Sequence, residues 1–196
     1  NQNSHGWPET HSIDLRVKPE ITANFSPNKL SICDSTEITF TNTSIYTATS
    51  TRPETFDWDF GDGASAQTNT GQNSVTHRFR NTTTNNSLQT YQVTLTAWGN
   101  GCSNSKTIDI QVRPRIKAQF SATSFSVCTP QTVTLNNLSA GASNYDWIFS
   151  DGTPTSHSAS IVQYAITNST ADNIQYPTVR LVAINGECQS EVTKVF

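Results

Sequence analysis

Phe56-Asp57-Trp58-Asp59-Phe60-Gly61-Asp62-Gly63 alternates aromatic and acidic residues for five positions and then breaks into a glycine turn. That alternation is the period of a strand with one buried face, and Gly-Asp-Gly supplies the reversal that ends it. Trp58 and Phe60 belong to the inward face, whereas Asp57 and Asp59 point outward. A second version, Tyr145-Asp146-Trp147-Ile148-Phe149-Ser150-Asp151-Gly152, lies 89 residues further on. Trp147 and Phe149 repeat the apolar signature of Trp58 and Phe60, and each Trp reads as the core plug of its own unit.

The repetition extends in both directions. Ile13 to Pro19 (IDLRVKP) and Ile108 to Pro114 (IDIQVRP) match at a spacing of 95 residues, and the likeness runs on without a gap from Pro19 to Cys33 against Pro114 to Cys128. Downstream, YQVTLTAWGNGC (Tyr91 to Cys102) resembles YPTVRLVAINGEC (Tyr176 to Cys188). Self-similarity of this depth means duplicated units. Apolar residues alternate throughout, as at Ile38 and Phe40, or Val93, Leu95 and Ala97, and nothing keeps a helical period. Asn100-Gly101 and Asn185-Gly186 stand between alternating runs, the strongest short hairpin signal. Six or seven short strands with one inward Trp predict an all-β chain of two tandem immunoglobulin-like antiparallel sandwiches. The expected units are residues 19–113 and 114–196. Residues 1–18 read as an N-terminal segment, either the closing strand of a preceding repeat or a strand of the first unit itself.

Composition narrows the function. Of 196 residues, 71 are Thr, Ser or Asn, which favour strands and turns over helices. The formal net charge is -3, and the longest basic stretch is Arg113-Pro114-Arg115-Ile116-Lys117, so there is no electrostatic footprint for nucleic acid. No apolar run is long enough for a membrane span, no intact signal peptide is present, and Met is absent.

WDFGDG, preceded by TFTNTS and followed by THRF and YQVTLTA, resembles a PKD domain, and the first unit carries nearly the whole pattern from Ile21 to Val112. The second unit departs from it, with Ile148 and Ser150 where the first has Asp59 and Gly61. The resemblance implies an immunoglobulin-like sandwich that binds or spaces, outside the cell, with no catalytic activity of its own. The placement of the cysteines is similar to repeats in long bacterial surface proteins, including gliding-motility adhesins exported by type IX secretion. The function expected is therefore a rigid spacer or stalk in a surface adhesin or filament. Its partners would be neighbouring repeats, filament subunits, or surface glycans and proteins. The alternative is a carbohydrate- or protein-binding module of a secreted hydrolase.

Four cysteines, Cys33, Cys102, Cys128 and Cys188, two per unit at equivalent places, suggest an oxidising compartment and structural disulfides. Pairing within units, Cys33 with Cys102 and Cys128 with Cys188, respects the repeat. Geometry objects, because in such a sandwich the two positions lie at opposite ends, about 20 Å apart, and a disulfide needs Cα atoms within about 7 Å. Units joined end to end would instead bring Cys33 to Cys188 and leave Cys102 and Cys128 for neighbours. No cofactor is expected. Asp57, Asp59 and Asp62 offer hard oxygen donors for calcium, but their spacing is not that of a calcium-binding loop, and Asp62 suits a turn role. His77 lies on an alternating strand without a catalytic or metal motif and reads as a packing residue. Trp7 and Trp98 lack periodic support and could stack on sugars or lie at a junction. Asp34-Ser35-Thr36 resembles an acceptor for bacterial surface O-glycosylation at Ser35.

Overall fold

The computed structural model describes residues 14–49, 51, 53–84, 86–168, 170 and 173–196. All regular structure among them is β, and no described helix is long and apolar enough to cross a membrane. The first unit contains β1 (Ile21–Thr22), β2 (Phe25–Pro27), β3 (Ser31–Ile32), β4 (Glu37–Asn42), β5 (Ile45–Tyr46), β6 (Thr55–Asp59), β7 (Gln67–Thr70), β8 (Ser74–Arg78), β9 (Gln89–Gly99) and β10 (Cys102–Val112). The second contains β11 (Phe120–Ala122), β12 (Gln131–Asn137), β13 (Asn144–Phe149), β14 (Ser156–His157), β15 (Ile161–Ile166), β16 (Thr178–Asn185) and β17 (Cys188–Val195).

Each unit is a sandwich of two sheets. In the first, β2-β4-β8 faces β3-β10-β9-β6-β7, and β1 pairs with β5; in the second, β11-β12-β15 faces β14-β13-β16-β17. Every named pairing is antiparallel except one, β3 with β10, which runs parallel with Ser31 opposite Gln111 and Ile32 opposite Val112. The alternation read from sequence is the burial pattern observed. Phe56 and Trp58 of β6 are buried while Asp59 is exposed, and Val93, Leu95 and Ala97 of β9 are all buried.

Two separate cores result. Trp58 fills the first with Phe25 and Phe40 packed around it, at ring-centroid distances of 5.1 and 5.9 Å. Trp147 fills the second against the edge of Phe120, 5.2 Å away. Burying aromatic area at this density is the main stabilising term of a sandwich this small. The hairpins differ slightly from the sequence reading. Gly99 pairs with Cys102, so Asn100 and Gly101 form the first turn, both at positive φ. In the second unit Asn185 itself pairs with Cys188, and Gly186-Glu187 make the turn. The resulting register places Pro177, not Tyr176, at the position of Tyr91, and Tyr176 is left exposed.

Candidate functional site

The place where the two units meet is the most elaborated region of the surface. Cys33 follows β3 directly, and β3 is held against the end of β10 by amides of Gln111 and Arg113 that donate to the carbonyls of Leu30 and Ile32, both at 2.8 Å. Asn81 pins the same end. Its Nδ2 donates to the carbonyls of Ser87 and Val112, each at 2.8 Å, and its own amide donates to Asp34 Oδ1 at 2.8 Å. The chain then crosses through Arg113, whose guanidinium donates to Asn185 Oδ1 at 3.2 Å. Arg113 also lies flat against the hairpin tip, so a Cβ on Gly186 would fall 2.7 Å from its Cζ.

Cys33 and Cys188 form a disulfide across this junction, with Cα atoms 5.6 Å apart. The pairing that respects the repeat, Cys33 with Cys102 and Cys128 with Cys188, is corrected by this bond: Cys102 and Cys128 are free thiols. The register gives the reason. Ile32 is opposite Val112 at one end of β10, whereas Cys102 begins the same strand ten residues away, roughly 33 Å at the rise of an extended chain. A crevice of about 620 Å³ beside the bond is lined by Cys33, Asp34, Arg80, Asn81, Pro114 and Cys188. Ser35 also lines it, half-buried at positive φ, with its hydroxyl donating to Asp34 Oδ2 at 3.2 Å.

The three acidic residues considered for calcium do not converge. Asp57 accepts from the indole N–H of Trp98 at 2.7 Å, and Asp59 accepts from the Gly61 amide at 2.9 Å. Asp62 accepts from the Ala64 amide at 3.1 Å and from His77 Nε2 at 2.7 Å. Among the described residues no three His, Cys, Asp or Glu side chains form a metal-sized group. Burial pushes the Asp62 carboxyl up, but the hydrogen bonds from His77 and the Ala64 amide, together with the imidazole charge, outweigh it and hold the group below its ordinary value. His77 stacks on Phe60 at 4.0 Å between centroids and meets the ring of Phe79 at 4.7 Å. Trp98 is 43% exposed, and Trp7 lies outside the described residues. Sequence reasoning missed Asp34 and Asn81 as junction residues, and the contact that Arg113 of the Val112 to Arg115 link makes with Asn185. The signal for Arg113 was present in the basic-Pro ending shared by IDLRVKP and IDIQVRP.

The architecture is that of an immunoglobulin-like β-sandwich repeated twice. Within that class, the family model of the PKD domain matches residues 16–112, which span the first unit from its entry segment to the end of β10. No curated protein sequence matches the chain. Solved structures similar to it include carbohydrate-binding modules of the β-sandwich superfamily, 14% identical at a TM-score of 0.40, with 88% of this chain and 83% of that one covered. Murine CEACAM1b is also 14% identical at 0.40, covering 88% and 96%. The fibronectin(III)-like modules of Clostridium thermocellum CbhA are 11% identical at 0.37, covering 89% and 92%.

Proposed function

We propose that the chain is a non-catalytic, extracellular spacer segment whose two sandwiches are fixed to each other so that a surface adhesin or filament keeps its reach. The junction carries this reading. A disulfide, the Arg113 contact to Asn185 and a short crossing segment all act between the units, where a free hinge would have none of them. A native disulfide supports a place outside the reducing cytosol. The free thiols supply the test. Spin labels on Cys102 and Cys128 put one probe in each unit. A single narrow distance distribution is expected, broadening when Cys33 and Cys188 are both changed to Ser. A broad distribution in the disulfide-bonded protein would sink the spacer reading.

One observation favours a binding module as the second reading. Trp98 presents an exposed ring whose orientation is fixed by Asp57, as a stacking platform for a sugar would require. Quenching of Trp fluorescence by oligosaccharides, lost in Trp98→Ala, would move the weight to that reading.

A further inference from the structure

The charges of the molecule are unevenly placed, and its cations gather at the junction. Cys33 and Cys188 both line two crevices there, one of about 620 Å³ and one of about 250 Å³. Arg80 and Arg115 line the larger and Lys29 and Arg113 the smaller, while Asp34 and Glu187 are the carboxylates that line them. Four cations against two carboxylates leave a local excess of positive charge in a chain whose formal net charge is -3. Arg78 adds a guanidinium beside the larger crevice, donating to the Ser35 carbonyl at 2.6 Å with Glu37 opposite it on β4.

These cations are not spent on the fold. Lys29, Arg80 and Arg115 are exposed, and none of the ion pairs formed among the described residues involves them. Among the described residues their side chains make no hydrogen bond either. Arg113 is turned to a neutral partner, Asn185. Asp34 shares the crevice of Arg80 and Arg115 but is occupied otherwise, its Oδ1 by the Asn81 amide at 2.8 Å and its Oδ2 by the Ser35 hydroxyl at 3.2 Å. Cations brought together without carboxylates to neutralise them repel one another, and an anion from outside relieves that repulsion. The set is assembled only by folding: Arg80 follows β8 in the first unit, Arg115 lies on the link, and Gln189 is on β17 of the second.

We propose that the junction binds an acidic polysaccharide, a polymer of uronic acids or sulfated sugars, whose charged groups are gripped by Arg80 and Arg115. Each guanidinium offers two parallel N–H donors to a carboxylate or sulfate. Thr82 and Gln189 in the same crevice offer a hydroxyl and an amide to the sugar hydroxyls between the charges. Lys29 and Arg113 supply the next cations along, in the second crevice. A duplex nucleic acid, with a charge every ~1.7 Å of its axis, asks for a longer basic face than this. The inference goes beyond the spacer reading and takes from it only the placement outside the cell, which favours a polysaccharide as the polyanion.

Calorimetric titration of the disulfide-bonded chain with polygalacturonate, dextran sulfate and uncharged dextran tests it. At low ionic strength the acidic polymers should bind although the chain is itself net negative, dextran should not, and added salt should weaken the affinity. Recognition of only one of the two polyanions would fix whether carboxylate or sulfate is the group held. Arg80→Gln combined with Arg115→Gln should weaken binding about tenfold. Lys106→Gln combined with Arg180→Gln removes the same charge from exposed positions on β10 and β16 and should leave binding unchanged. Binding of neither polyanion, or equal losses in the two double variants, overturns the site. Tighter binding of duplex DNA than of either polysaccharide overturns the choice of partner. None of these results bears on the spin-label distance, so the spacer reading stands or falls by itself.

Discussion

Asp62 and Asp151 occupy the same turn of the two units and are bound by different chemistry. Asp62 is bonded by His77 at 2.7 Å, and Asp151 by the hydroxyl of Tyr164 at 2.8 Å, from the equivalent position on the facing strand. The geometric need is shared: a turn carboxylate fastened to the opposite sheet. The residue that meets it is free to change. Similar divergence runs through the rest of the motif. The indole N–H of Trp147 donates to the Ala159 carbonyl at 2.9 Å, while that of Trp58 is buried with no partner among the described residues. Gly61, at φ +69°, leaves no room for a side chain, since a Cβ would lie 2.5 Å from the Gln92 carbonyl oxygen. Ser150 in its place instead accepts the Thr178 amide at 2.8 Å. The second unit has kept the sandwich and replaced the particular contacts that make the first unit's motif recognisable.

The sharpest test of that comparison is at the two plugs. Trp58→Ala and Trp147→Ala should each cost about 3–5 kcal/mol by opening a core cavity. Replacement by Phe should separate them, because Trp147→Phe strands the Ala159 carbonyl and adds about 1–2 kcal/mol, whereas Trp58→Phe removes an N–H that already lacks a partner among the described residues. Denaturant unfolding of the four variants measures this, and equal losses for the two Phe variants would break the contrast. A smaller effect is expected at the turn. Gly61→Ala should destabilise the first unit by roughly 1–3 kcal/mol through left-handed strain and the Gln92 contact. Ser150→Ala should cost only about 1 kcal/mol, one hydrogen bond; per-unit amide exchange would tell them apart.

The mildest contrast is in pH. Burial, followed by the bond to Asp151 and its charge, pushes the Tyr164 phenol well above its ordinary value. Above about pH 10 the unfolded chain gives up that proton while the folded unit keeps it, so the second unit loses stability as pH rises. Tyr46 is shifted in the same direction, first by burial and then by Glu54 and Cys102, and gives the first unit a weaker form of the same loss. On the acid side the units should behave alike. Asp151 is raised by burial but lowered further by Thr153 and Tyr164, so it and Asp62 both lie below the ordinary value. Their contribution is present above about pH 4 and disappears as pH falls through the depressed values. Unfolding midpoints of wild type and Tyr164→Phe between pH 9 and 12 check the alkaline limb, which the substitution should flatten for the second unit alone.

Most of the fold was legible because burial in a sandwich has a period of two and leaves that period in the chain. Phe56, Trp58, Val93 and Leu95 announce their side of the sheet without any long-range information. The junction was less legible. Which cysteines meet depends on which ends of two sandwiches are apposed, and the repeat favours pairing within a unit while strand length opposes it. The parallel pairing of Ile32 with Val112 decides the matter, and no local pattern marks it. The roles of Asp34 and Asn81 were hidden for a related reason: each acts through backbone groups brought near only by folding. Asp57 alternates with the buried Phe56 and Trp58 on β6, and Asp62 accepts from the Ala64 amide within its own turn. Their partners Trp98 and His77 lie 41 and 15 residues away, beyond the reach of spacing arguments.

The Cys33–Cys188 bond has a mechanical meaning beyond fixing an angle. It closes a covalent loop across a sequence separation of 155 that holds β4 to β16. A pull applied between residue 14 and residue 196 passes through β1, β2 and β3, then through the bond into β17, and the chain from β4 to β16 lies outside the line of tension. Fully drawn out, the enclosed chain would measure roughly 500 Å. That slack stays locked until the sulfur bridge is reduced, so the redox state of one bond decides whether the segment behaves as a short tether or a very long one.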